Sequence, residues 1–151
     1  MNISEKNAGF HAFSPAAWLR VTGEDTLSFL QGQVTQDLRA PAAGSVVYGL
    51  WLSQKGRVVA DSLFFKVSDT EFWVLSNATP ARIIQERMES YIIADDVVVE
   101  DLSAGWAGLL AVGAEPVRWM EDNAGGPVAP GRFSRVGSGF VFKGRRGLEP
   151  S

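Results

Sequence analysis

The sequence predicts an α+β fold in which helices cover one face of a mixed, largely antiparallel sheet. Three β-rich runs, residues 45–53, 57–67 and 71–76, follow one another with turn residues between them, which favours two successive hairpins. Two stretches with helical spacing, residues 23–31 and the run after Pro80, interrupt the strands. Strands mixed with two clear helices are typical of this class.

The first predicted elements are a strand and a short helix. The run WLRVT, residues 18–22, predicts the strand. Thr22, followed three residues later by Asp25, predicts a capping box at the start of the helix. Gly32 stands where a left-handed C-cap would end that helix.

The three central runs are followed by a second helix. Thr79 and Pro80 predict an N-cap and a first-turn proline. The helix then places Ile84 and Met88 on its buried side. A short strand with three consecutive valines, residues 96–102, follows it.

The C-terminal part predicts a weaker set of elements. Residues 106–113 predict a strand, residues 114–121 a short helix, and the segments RFSRV and GFVFKG a hairpin. These elements supply about half of a ferredoxin-like βαβ-type unit. We therefore expect residues 1–103 to form the main functional region, and residues 104–151 to begin a second, incomplete α+β unit.

Composition excludes several kinds of chemistry. The chain has no cysteine and one histidine, His11, so disulfides, thiolate metal sites and a histidine-based triad are not expected. Asp95 and Asp96 lack further oxygen ligands at useful spacing, so no metal site is predicted. No signal peptide and no apolar run of about 20 residues is present. We expect a cytoplasmic protein that does not enter a membrane.

The most informative pair of residues lies in the first predicted hairpin. Tyr48 and Asp61 are polar residues in apolar runs on either side of the turn at residues 54–56, so a tight hairpin brings them near each other. Strict alternation would place Asp61 on one face with Val59, Leu63 and Phe65. A carboxylate there is a candidate ligand anchor; alternatively it is wet at the sheet edge or caps a neighbouring loop.

Other polar and aromatic residues allow two readings each. Asn77 ends a predicted strand, where its amide would serve an Asx-type turn or read the edge of a ligand. The five tryptophans would mostly be core, although flat aromatic walls also suit a heteroaromatic ligand. The polar run QGQVTQD, residues 31–37, is expected to end the first helix and order the following loop, with Thr35 and Asp37 fixing that loop.

The C-terminal end is basic. From Gly131 onward there are five basic residues and one acidic residue, a net charge of +4, so the rest of the chain carries −7 of the total −3. Such a segment attracts phosphate or an acidic ligand tail, or is simply a solvated strand and tail. The basic residues are Arg132, Arg135, Lys143, Arg145 and Arg146.

Three strings together resemble a known superfamily. WLRVTGEDTLSFLQGQVTQDL, YGLWLSQKGRVVADSLFF and WVLSNATPARIIQERMESYIIADDVVVEDLS are similar in order and spacing to the N-terminal half of the glycine-cleavage T-protein superfamily, the tetrahydrofolate-binding aminomethyltransferases. The string FLQGQVTQD resembles the YgfZ-type branch, folate-binding proteins linked to iron–sulphur cluster assembly and repair and to tRNA modification. The resemblance covers residues 13–103.

This resemblance implies a tetrahydrofolate site, for the cofactor or a one-carbon derivative of it. Tyr48 and Asp61 match the folate-contacting tyrosine and aspartate, and Asn77 and Trp18 match an asparagine and a tryptophan near the folate. In the transferases the aspartate orients the pterin and assists one-carbon transfer, so Asp61 would be the catalytic candidate if the chain is an enzyme.

The chain also departs from the family pattern. Where the transferases have two adjacent acids, the first is Ala60 here, and Phe65 replaces a tyrosine. The KGC-containing motif and the glutamate and arginine of the second half are absent from these 151 residues. The chain therefore resembles the N-terminal portion of a protein about twice as long.

These observations lead to three functional hypotheses. The first is a folate-binding protein of the YgfZ type, with iron–sulphur proteins as clients and without a complete transferase active site. The second is an aminomethyltransferase or demethylase. The third is an RNA-binding or scaffold module that uses the basic C-terminal segment.

Overall fold

The structure, a computed structural model, describes residues 8–143. Within that range the chain forms two compact units, residues 14–107 and residues 8–13 together with 108–143. In chain order the elements are β1 (Gly9–Phe13), β2 (Ala17–Thr22), α1 (Thr26–Gln31), β3 (Ser45–Leu52), β4 (Val58–Ser68), β5 (Glu71–Ser76), α2 (Ala81–Tyr91), β6 (Val98–Asp101), a 3-10 turn (Ser103–Gly105), β7 (Gly108–Val112), α3 (Ala114–Asn123), β8 (Phe133–Val136) and β9 (Gly139–Phe142).

The larger unit is built on a five-stranded antiparallel sheet. Its strand order is β3-β4-β5-β2-β6, so β3 and β6 are the edge strands. The two predicted hairpins, β3–β4 and β4–β5, are confirmed, and so is the α+β class. The insertion of β2 between β5 and β6 depends on pairings that are distant in sequence.

Helices α1 and α2 cover one face of this sheet and enclose the core. Phe29 and Leu30 of α1 and Ile84 and Met88 of α2 belong to the same buried cluster as alternate residues of the strands. The strand residues of the core include Leu19, Val21, Trp51, Ala60, Phe64, Phe72 and Val74. Because strand side chains alternate, their neighbours point to the opposite face.

Three predicted features of the helix ends are wrong, although Gly32 is the C-cap of α1 as predicted. No side chain caps α1, because the Asp25 carboxylate instead accepts a hydrogen bond from the N–H of Asp96, at 2.8 Å. Gly32 ends α1 in the right-handed region, with φ −80°. Thr79 is the predicted N-cap of α2, but the helix begins one residue later. Pro80 occupies the cap position in an extended conformation, with ψ 144°.

The smaller unit consists of two short ribbons and a helix. β1 pairs with β7, and β8 pairs with β9 in the predicted hairpin. β1 is not predicted by the patterns above. Residues 1–7 and 144–151 lie outside the described range, and they include Arg145 and Arg146 of the basic end.

No helix within residues 8–143 has the length and apolar composition that crossing a bilayer requires. The functional boundary expected at residue 103 stays a prediction.

Candidate functional site

The candidate site lies on the second face of the five-stranded sheet, the face opposite α1 and α2. On this face Tyr48 of β3 and Asp61 of β4 meet: the tyrosine hydroxyl donates a hydrogen bond to Oδ2 of Asp61 at 2.9 Å. Asp61 is half-buried, and Tyr48 is 36% exposed. The pair therefore presents a carboxylate with a fixed orientation to solvent.

The strand register explains why these two side chains meet. Asp61 lies directly across from Leu50, and Tyr48 lies across from Leu63, so Tyr48 and Asp61 are diagonal neighbours on one face. Diagonal pairs are within reach of long aromatic side chains. The proximity inferred from the turn is present in the structure.

A β-bulge lies beside the pair. The register shifts between Trp51 and Leu52, which pair with Ala60 and Val58 and leave Val59 without a partner. Bulges bend the strand and re-aim nearby side chains. The regular pairing of β3 with β4 is therefore interrupted at Val59 and begins at Ala60.

Trp18 lies in an aromatic cluster further across the same face. Its ring centroid is 5.4 Å from Phe65, 4.9 Å from Trp73 and 5.4 Å from Trp106. It is only 5% exposed, so little of its ring is available to a ligand. The register separates Trp18 from Tyr48 by three strand spacings, about 14 Å.

Asn77 follows the last residue of β5 and is exposed. The pairing of Leu63 with Leu75, continued by two residues on each strand, would bring Asn77 opposite Asp61. The turn bond expected from Asn77 is wrong, because the hydroxyl of Ser76 accepts the hydrogen bond from Thr79 N–H, at 3.2 Å. Within residues 8–143 no recorded hydrogen bond engages the Asn77 side chain.

The polar run after α1 orders a loop, as predicted. Oε1 of Gln31 accepts a hydrogen bond from Leu38 N–H at 2.7 Å. Thr35 bonds to β3 through both its backbone N–H and its hydroxyl. The Asp37 carboxylate accepts hydrogen bonds from Arg39 N–H at 2.8 Å and from Ala40 N–H at 3.4 Å, and these bonds lower the pKa of Asp37.

Sequence reasoning missed Lys66, which is buried on the core face of β4. Its Nζ donates to the carbonyl oxygens of Leu38 at 2.8 Å, Pro41 at 2.9 Å and Arg39 at 3.3 Å. The sequence contains a signal that could have predicted this site. A lysine in the apolar run FFKV, two residues after Phe64, must either contact water or donate hydrogen bonds to buried acceptors.

The remaining polar clusters do not form a metal centre. Within the described residues no group of three or more His, Asp or Glu side chains could hold a metal ion. Of the basic C-terminal residues, Arg135 lies over the ring of Phe140, at 4.3 Å from its centroid.

Comparison with known proteins decides the family. The GCVT N-terminal domain matches residues 2–125, most of the chain. The chain belongs to this family. The glycine-cleavage T-protein superfamily expected from the three strings is therefore confirmed, and the YgfZ-type branch is not tested by this match.

Curated relatives agree with the family. An aminomethyltransferase from Bacillus cytotoxicus is 32% identical over 92 residues, 61% of this chain and 25% of that protein. One from Cutibacterium acnes is 30% identical over 113 residues, 75% of this chain and 30% of that protein. An uncharacterized protein from Aquifex aeolicus is 24% identical over 102 residues, 68% of this chain and 67% of that protein. The chain thus spans a quarter to about a third of these transferases.

A solved structure shares the fold. The glycine cleavage system aminomethyltransferase T from Bartonella henselae superposes with a TM-score of 0.70 at 18% identity. The match covers 85% of this chain and 36% of that one.

Proposed function

We propose that this chain binds tetrahydrofolate, or a one-carbon derivative of it, through the pair Tyr48 and Asp61. The observation that carries the proposal is the 2.9 Å hydrogen bond between them on the second face of the sheet. Membership of the GCVT N-terminal domain family and the names of the relatives support folate as the ligand.

The chemistry of a carboxylate suits a pterin ring. An ionised carboxylate offers about four lone-pair sites, of which the Tyr48 hydroxyl uses one. Asp61 can therefore accept from the exocyclic amino group and the adjacent ring N–H of a pterin at the same time. Charged acceptors form stronger hydrogen bonds than neutral ones.

Two further residues would have supporting roles. The exposed amide of Asn77 would meet the ligand from the end of β5, opposite Asp61. Trp18 would act from within the aromatic cluster, three strand spacings from Tyr48, by stiffening that part of the face, because only 5% of its surface is exposed.

We further propose that the chain serves the YgfZ-type role, supporting iron–sulphur cluster assembly or repair and thereby tRNA modification. The string FLQGQVTQD supports this branch. Deletion of the gene should then lower the activity of iron–sulphur enzymes, and restoration should require Asp61. Normal activity of those enzymes in the deletion strain would rule the branch out.

Aminomethyl transfer is the second candidate function. The relatives named aminomethyltransferase favour it. Formation of methylene-tetrahydrofolate from tetrahydrofolate and an aminomethyl donor would establish it. The same assay with Asp61→Asn would show whether Asp61 takes part.

The binding proposal is tested by titrating tetrahydrofolate while following tryptophan fluorescence. Asp61→Asn should weaken binding by about tenfold to a hundredfold, the worth of a hydrogen bond to a charged group. Tyr48→Phe should weaken it less. Asp122→Asn, the same change on an exposed residue of α3, is the matched control and should leave binding unchanged.

Equal affinity of the wild type and Asp61→Asn would refute the role of Asp61. Binding of RNA that weakens with salt and survives Asp61→Asn would instead favour the basic C-terminal segment as the functional surface.

A further inference from the structure

Residues 31–41, which we call the strap, lie along the outer edge of β3. β3 is an edge strand of the five-stranded sheet, with β4 as its neighbour. Thr35 N–H donates to the carbonyl of Leu50 at 3.1 Å, and Leu50 N–H donates to the hydroxyl of Thr35 at 3.1 Å. An isolated bridge between Val34 and Trp51 adjoins this clamp. The strap therefore holds β3 at Leu50 from the side opposite β4.

The strap is itself fixed at several points. The Gln31 side chain closes it onto Leu38, and the Asp37 carboxylate closes its turn onto Arg39. The buried ammonium of Lys66 binds three of its carbonyl groups. A loop anchored in this way can restrain the position of the strand that it contacts.

Leu50 connects the strap to the candidate site. It is the register partner of Asp61, and Tyr48 lies two residues before it on the same strand. The β-bulge between Trp51 and Leu52 begins one residue further on, where regular pairing between β3 and β4 is interrupted. Leu50 thus belongs to the second-last regular pair before the bulge, and Thr35 holds its outer edge.

We propose that Thr35 is a positioning residue for the ligand site, acting through Leu50 on the distance between Tyr48 and Asp61. This inference rests on the proposed function, because the consequence for a ligand requires that Tyr48 and Asp61 bind one. Loss of the Thr35 hydroxyl frees the edge of β3 beside the bulge. The hydrogen bond between Tyr48 and Asp61 then spans two strands whose separation is less fixed.

The affinity for tetrahydrofolate tests this role. Thr35→Val keeps the shape of the side chain and removes the acceptor, and should weaken binding by about two- to tenfold, the worth of one neutral hydrogen bond. Thr35→Ser keeps the hydroxyl and should restore wild-type affinity. Ser68→Ala, which removes a hydroxyl that accepts Thr70 N–H at the other end of β4, is the matched control and should not change affinity.

Amide hydrogen exchange in the ligand-free protein gives a second measurement. Thr35→Val should raise the exchange rate of the Leu50 amide and of the amide of Asp61, its register partner. Ser68→Ala should raise neither rate. Loss of stability alone would leave the affinity of the folded protein unchanged, so a change in affinity separates positioning from a purely structural role.

The possible failures are distinguishable. A wild type that binds no tetrahydrofolate refutes the proposed function and, with it, the role of Thr35. A wild type that binds, with unchanged affinity in Thr35→Val, refutes the positioning role alone. Unchanged exchange at Leu50 in Thr35→Val also overturns it, since the clamp would then not hold the strand.

Discussion

Replacing Lys66 with methionine tests whether a buried charge holds the strap in place. Lys66 is 4% exposed, and its ammonium makes two short hydrogen bonds, at 2.8 and 2.9 Å, and a longer one at 3.3 Å, all to strap carbonyls. Its ion pair with Asp69 spans 3.5 Å to a side chain that is 75% exposed. Because water screens the exposed Asp69 carboxylate, this pair contributes little.

The expected loss of stability follows from these contacts. Two charge-assisted hydrogen bonds contribute about 1.5 kcal/mol each, and burial of the methionine side chain recovers about 1 kcal/mol. We expect Lys66→Met to lower the free energy of unfolding by about 2 kcal/mol. The strap carbonyls lose their donor, so amide exchange should rise at Leu38.

Urea unfolding followed by tryptophan fluorescence measures this change. The matched control is Lys55→Met at the exposed β3–β4 turn, which should change stability by less than about 0.5 kcal/mol. If Lys66→Met were as stable as that control, the strap carbonyls would be adequately hydrated without the lysine, and the reasoning from buried hydrogen bonds would fail.

Two further predictions concern acid stability and a glycine. Backbone hydrogen bonds from Arg39 and Ala40 lower the pKa of Asp37 below its usual 3.8. The ionised carboxylate therefore stabilises the folded protein fully at a pH above the usual pKa, and this contribution is lost as the pH falls through the lowered pKa. Asp37→Asn should therefore unfold with a weaker pH dependence than the wild type between about pH 5 and pH 3, and an identical dependence would contradict this. Gly23 has φ +134°, and an added Cβ would overlap the carbonyl oxygen of Asp96, so Gly23→Ala should cost about 2–4 kcal/mol in urea unfolding. Gly56→Ala, at φ +79° with open space around it, should cost only about 1 kcal/mol, and equal costs would show that the overlap is relieved.

Local patterns in the sequence predict the hairpins and the meeting of Tyr48 with Asp61. Both depend on short-range rules, the turn at residues 54–56 and the alternation of strand side chains. The role of the polar run is also local, because the partners of Gln31 and Asp37 lie within seven residues. These features need no knowledge of how distant segments pack.

The errors have long-range causes. The predicted capping box does not form, because Thr22 ends β2 and the Asp25 carboxylate reaches Asp96, 71 residues away in sequence. The burial of Trp18 depends on Trp106, which comes from beyond the end of the sheet. Lys66 is buried because the strap returns to β4 and supplies its carbonyls. A single sequence does not indicate which distant segment will provide such a partner.

The structure also shows how much Ala60 and Phe65, the two departures from the family pattern, count as evidence against one-carbon chemistry. Successive side chains on a strand face opposite ways, and Ala60 lies in the core beneath the helices at 4% exposure, while Asp61 faces Tyr48. In this chain the alanine therefore removes nothing from the face that carries Asp61, and it is weak evidence against one-carbon chemistry.

Phe65 differs, because it lies on the second face and packs edge-on against Trp18 with the ring centroids 5.4 Å apart. A tyrosine hydroxyl at this position would lie on the face that carries Asp61, within the aromatic cluster, because Phe65 is 0% exposed. If the chain is a transferase, Phe65→Tyr should raise the rate of one-carbon transfer, and Ala60→Asp should only destabilise the fold, by about 2 kcal/mol or more for an unpaired buried carboxylate. A gain of activity in Ala60→Asp with no gain in Phe65→Tyr would reverse this assignment of the two faces.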